Sequence, residues 1–122
     1  MSASPVLDMV TTTATAHPEA TAITQGERSL TYRELAAAIP PFADALAAAG
    51  ASPGTHVLLV LDNRPEFAVA YFATAEAGCT VEAIDPDQPP QALRRRLADS
   101  RPAVVVTTEG HPVATLTDRP VL

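Results

Sequence analysis

The stretch from His56 to Pro86, HVLLVLDNRPEFAVAYFATAEAGCTVEAIDP, constrains the fold more than any other part of the chain. Val57–Leu61 is an unbroken apolar run, the pattern of a strand covered on both faces. Asn63 can cap a helix, with Pro65 in the first turn and Glu66 three residues on, able to reach back to the N–H of the cap. Phe67 to Ala75 carries no charge, which predicts a largely buried helix rather than one with a single apolar stripe. Gly78 stands where a left-handed helix end is wanted, and Thr80–Ile84 reads as a second strand. Strands joined by a helical crossover run parallel, with a right-handed connection. The stretch therefore specifies an α/β layer.

The flanking segments extend it. Val6–Ala16 is expected to be a helix stopped by His17-Pro18, because the residue before proline avoids the α region. Ala20–Thr24 and Ser29–Tyr32 form a hairpin around Gly26-Glu27. Thr31 and Glu34 have capping-box spacing for a helix over Tyr32–Ala49, whose Leu35, Ile39, Phe42 and Leu46 share one face. Pro40-Pro41 lies inside that helix and predicts a kink or two short helices. Gly50 and Ser52-Pro53-Gly54 end it. Further on, Asp87 is expected to cap a helix over Gln91–Ser100, stopped by Arg101-Pro102. Ala103–Thr107 reads as a third buried strand, and Val113–Leu116 as a weak one in a turn-rich tail, Glu109–Leu122. The expected fold is α/β with three layers: three or four mainly parallel strands, helices on both sides and an N-terminal hairpin, in one domain over 1–122.

Composition removes several functions. The 122 residues are 47% hydrophobic with a net charge of −6, so the chain is globular and its field repels nucleic acid. All eight basic residues are Arg. Without Lys the chain offers no phosphate-binding lysine of the Walker type, no Schiff base and no lysine to polarise an acyl phosphate. The five glycines are isolated from one another, which leaves no glycine-rich phosphate cradle. A single Cys79 suits a reducing cytoplasm. No apolar run is long enough for a membrane span, and MSASPVLD lacks the basic start of a signal peptide, so neither membrane nor secretion is expected.

Candidate site residues each have a plainer role. Asp62 and Asp85 fall at the C-terminal ends of parallel strands, the edge where α/β sheets bind ligands. A cation or ribose contact is one reading; turn and cap residues are the favoured one. Cys79 reads as a small buried residue beside a strand rather than a reactive thiol. His17, His56 and His111 lack metal-ligand spacing. Arg94, Arg95 and Arg96 fan around a helix as a solvated face rather than converging on a phosphate or a partner. Glu82 is the anomaly, a charge in a strand expected to be central. It implies either an edge strand or a partner for the carboxylate. No catalytic, cofactor-binding or metal-ligating residue is assigned.

Leu30-Thr31-Tyr32-Arg33-Glu34-Leu35 resembles the first core motif of the adenylate-forming superfamily, which comprises acyl-CoA synthetases, aryl-acid ligases and nonribosomal peptide synthetase adenylation domains. His17-Pro18-Glu19-Ala20-Thr21-Ala22-Ile23 is similar to a usual opening of that family. Asn63-Arg64-Pro65-Glu66-Phe67, Ala75-Glu76-Ala77-Gly78, Ile84-Asp85-Pro86 and Asp99-Ser100-Arg101-Pro102 follow in the family's order, so the resemblance covers about residues 6–108. It implies the first part of the large N-terminal domain of a ligase that adenylates an acid or amino acid. The nucleotide loop, ribose-binding Asp, acid pocket and catalytic Lys of the family come downstream of Thr108. The expectation is a truncated, structural portion that takes ATP and Mg only when completed by a partner chain. That partner would cover an open sheet edge or apolar face. Glu82-Ala83, standing where the second motif has an apolar residue then Pro, and Pro40-Pro41 favour the alternative slightly. In it the chain is a non-catalytic, self-associating module derived from an adenylation domain. An independent small enzyme on a flavodoxin-like sheet is the least favoured reading.

Overall fold

The structure, a computed structural model, describes residues 5–62 and 64–122. Helix α1 (Pro5–Ala16) is followed by strands β1 (Thr21–Gln25) and β2 (Arg28–Thr31), which pair antiparallel across Gly26-Glu27. Helix α2 (Tyr32–Ala49), strand β3 (His56–Val60), helix α3 (Pro65–Glu76), strand β4 (Thr80–Ile84), helix α4 (Pro90–Ser100) and strand β5 (Val104–Thr107) follow. A 3₁₀ turn over Pro112–Thr115 stands where the sequence predicted a weak strand. Pro112 opens it, and His111 caps it by accepting the Val113 N–H on Nδ1 at 3.0 Å.

Strands β3, β4 and β5 form one parallel sheet in the order β4–β3–β5. The fully apolar β3 takes the centre, where both faces and both edges are covered. Val57, Leu58, Leu59 and Val60 are all 0% exposed. Alternate residues feed two cores. Val57, Leu59 and Leu61 join Leu35, Ile39 and Leu46 of α2, Val69, Ala70 and Ala73 of α3, and Val10 of α1. On the opposite face Leu58, Val60 and Val105 meet Leu93 of α4 and Val113 of the 3₁₀ turn. The result is three layers, α1–α2–α3, sheet, and α4 with the turn. The expected fold class and hairpin stand.

Local chemistry explains the boundaries. Thr31 Oγ1 accepts the Glu34 N–H at 3.1 Å and Glu34 Oε1 accepts the Thr31 N–H at 2.8 Å, so the capping box forms as the spacing predicts. The bond from the Thr31 N–H, with the Thr31 hydroxyl beside it, holds the Glu34 carboxyl below the ordinary glutamate pKa. Helix α3 ends in a Schellman motif. Gly78, at φ +77°, gives its N–H to Ala75 O at 3.0 Å, and Cys79 gives its own to Thr74 O at 3.1 Å. A Cβ at Gly78 would meet Pro53 Cβ at 3.4 Å, an ordinary contact, so it is the left-handed backbone that calls for glycine.

Two local expectations are corrected. Helix α2 runs continuously through Pro40 and Pro41 and does not divide into two short helices. Both prolines are exposed, so water can satisfy the carbonyls of Ala36 and Ala37, whose usual donors they remove. Ile39 and Leu46 on the other side remain fully buried and hold the helix in register. Asp87 does not cap α4. Pro89 occupies that position without a side-chain bond, and the Asp87 N–H instead donates to Asp85 Oδ1 at 2.8 Å in an Asx turn. The proposed Asn63 cap lies outside the described residues. Arg64 holds the cap position of α3 with no side-chain bond, and Glu66 pairs with Arg28 at 2.6 Å.

Candidate functional site

A groove of about 750 Å³ lies over β4 on the α4 side. It exists because α4 packs through Leu93 onto Leu58, Val60 and Val105, over β3 and β5, and leaves β4 less covered. Thr80, Glu82 and Ile84 form its floor. Register places Glu82 beside Leu58, two residues along β3 from His56, so the His56 and Glu82 side chains share the α4 face. His56 Nδ1 donates to Glu82 Oε1, and Arg96 of α4 gives a second contact, NH1 to Oε2 at 3.4 Å. Burial pushes the Glu82 carboxyl up. The His56 bond, followed by smaller contributions from Ser100 and Arg96, outweighs it, and the group titrates below the ordinary glutamate value. Both branches of the sequence expectation are met: β4 is an edge strand, and Glu82 has partners within its own chain.

The other singled-out residues do not converge. Asp62 accepts Arg64 Nε at 2.5 Å and NH2 at 3.2 Å, an exposed bidentate pair whose hydrogen bond lowers the Asp62 pKa. Asp85 serves the Asx turn. His111 Nε2 meets the Pro86 carbonyl at 2.7 Å while Nδ1 accepts from Val113, a pattern that assigns the Nε2–H tautomer and pins the tail to the β4–α4 loop. Cys79 is half-buried and its Sγ donates to Ser52 O at 3.3 Å. Arg94, Arg95 and Arg96 are exposed, and they divide: Arg95 and Arg96 line the groove, while Arg94 lies beside Leu97 and Arg119 on another surface. Among the described residues, no three His, Cys, Asp or Glu side chains gather as metal ligands. The chain has no lysine and no run of glycines, and α4 begins on two prolines. No helix of the described residues is long and apolar enough to cross a membrane.

A second concavity, about 620 Å³ and mainly apolar, lies between β2, α2 and α3, where Leu30, Pro41, Phe42 and Val69 meet under the Arg28–Glu66 pair. Sequence reasoning did not find it. Its walls come from three elements, and only the position of Phe42 at the edge of the α2 apolar face hinted at it.

The family model described as AMP-binding enzyme matches residues 10–121. The chain belongs to that family. An isonitrile lipopeptide synthase of Mycobacterium tuberculosis is 40% identical over 93 residues, which are 76% of this chain and 4% of that protein. An L-proline–[L-prolyl-carrier protein] ligase of Streptomyces coelicolor is 37% identical over 93 residues, again 76% of this chain and 17% of that one. Among solved structures, VinN in complex with 3-methylaspartate superposes with a TM-score of 0.86 at 24% identity, over 98% of this chain and 34% of its own. The last likeness concerns the fold alone. The chain thus spans a small part of the length of the curated relatives that it matches.

Proposed function

We propose that this chain is a scaffold portion of an adenylate-forming ligase, cytoplasmic and without a reacting group of its own. It supplies the β4–β3–β5 sheet and its helices, while a partner chain supplies the ATP-binding loop and lysine. The observation that carries this reading is the combination of a family match across residues 10–121 with a complete absence of Lys. A chain so related, yet without the side chain that the family's phosphate chemistry requires, can contribute shape but not catalysis.

Complementation tests the reading. The matching segment of the Streptomyces coelicolor L-proline ligase is deleted, and this chain is added in trans or fused in its place. L-proline-dependent ATP–pyrophosphate exchange is then measured. Exchange is expected to be absent from the chain alone, lost on deletion and partly restored by complementation. A fusion that is folded by circular dichroism yet no more active than the deleted ligase would sink the scaffold reading.

A further inference from the structure

The two edges of the parallel sheet differ. Beyond β5 the chain's own last residues begin to pair. Val105 N–H donates to Pro120 O at 2.9 Å, Leu122 N–H to Val105 O at 2.9 Å and Thr107 N–H to Leu122 O at 3.1 Å, a parallel bridge through Val121. Beyond β4, no strand of the described residues pairs. Backbone groups alternate along a parallel strand. Thr80 N–H donates inward to Thr55 O at 2.8 Å, so Glu82 and Ile84 also face β3, and Val81 and Ala83 direct their N–H and C=O outward. Such an edge is a template for another strand.

The wall beside this edge carries both signs of charge. Glu82 is matched by His56 and Arg96. Arg95 and Asp99, one turn apart on α4 and both in the groove, are exposed and form no ion pair among the described residues. A surface with one free cation and one free anion a helical turn apart is complementary to itself under two-fold rotation, because residue i then meets j and j meets i.

We infer that the β4 edge is a docking surface for a second copy of this chain, with β4 pairing antiparallel to β4 of the copy to make a continuous six-stranded sheet. A two-fold axis perpendicular to the sheet keeps both α4 helices on one face. They run antiparallel across a merged groove, and Arg95 of each copy meets Asp99 of the other. A register that sets Val81 opposite Val81 of the copy joins the outward N–H and C=O groups and places Glu82 across from Thr80 instead of from another Glu82. The surface lies on the side of the sheet away from 120–122, so it does not compete with completion of the sheet beyond β5. The inference is independent of the scaffold reading.

Light scattering after size exclusion tests it on the whole 122-residue chain. The expected mass is twice 12.7 kDa at high concentration. Arg95→Glu sets two acids against each other and is expected to return the mass to that of one chain. The double variant Arg95→Glu with Asp99→Arg restores opposite charges across the axis and is expected to recover the doubled mass. Circular dichroism checks that each variant is folded; both sites are exposed, so folding is retained. The inference is overturned by a single-chain mass for the wild type at every concentration. It is equally overturned by a dimer that survives Arg95→Glu, or by a folded double variant that stays monomeric.

Discussion

Glu82 shows how a charge is kept inside a parallel sheet. Its side chain is 20% exposed, against 44% for His56 and 43% for Arg96, so the acid is the desolvated member and its partners reach it from the groove rim. Partly exposed pairs of this kind contribute about 0.5–1 kcal/mol. Glu82→Gln is expected to lower stability to denaturant by about that amount at neutral pH. The folded-state pKa lies below the ordinary 4.5, so this contribution is present above the unfolded-state value and is lost as pH falls through the folded-state value. Denaturation of wild type and variant across acid pH checks the sign: the gap between them should close below pH 4.5. A gap that widens on acidification would show that the carboxylate is a burden in the fold. The oddness of Glu82 was legible in the sequence; its partners were not. His56 lies 26 residues away and Arg96 14 residues away, and only the β3–β4 register and the seating of α4 bring them to it.

At the scale of elements, strong local signals survived folding and weak ones yielded to packing. The Thr31–Glu34 capping box and the Gly78 helix end stand as predicted, because each is set by residues a few positions apart. The Pro40-Pro41 break did not materialise, because the opposite face of α2 is anchored by Leu35, Ile39 and Leu46, all at most 2% exposed. Proline in a helix interior costs about 3 kcal/mol, while its rigidity in the unfolded chain returns up to about 1 kcal/mol. Pro40→Ala is therefore expected to raise unfolding free energy by about 2 kcal/mol, read as a higher denaturant midpoint with an unchanged slope. A lowered midpoint would mean that α2 has adapted its backbone to the prolines. The tail misled for a related reason: Val113 is apolar and fully buried, but a single buried residue among turn formers is as compatible with a 3₁₀ turn as with a strand.

For the whole molecule, the layer order was readable because β3 is apolar at every central position, while the candidate sites dispersed because their residues belong to separate turns. Asp62 is engaged by Arg64, Asp85 by its own turn and His111 by the tail, each a local duty. The family match accounts for the sheet and for the residues at its helix junctions. The same match spans the groove over β4, whose polar walls come from Glu82, Arg95, Arg96 and Asp99 acting together.

The central position of β3 has a kinetic consequence for its amide hydrogens. His56, Leu58 and Val60 direct their backbones to β5, and Val57 and Leu59 direct theirs to β4, so no N–H of Val57–Val60 is free while the sheet is closed. Their exchange with deuterium must wait for global opening and would report the full unfolding free energy without denaturant. Along β4 the same experiment should read as a two-residue rhythm, with Thr80, Glu82 and Ile84 slow, and Val81 and Ala83 fast in the single chain. A strand whose amides alternate in this way carries its own record of whether its outer edge is occupied.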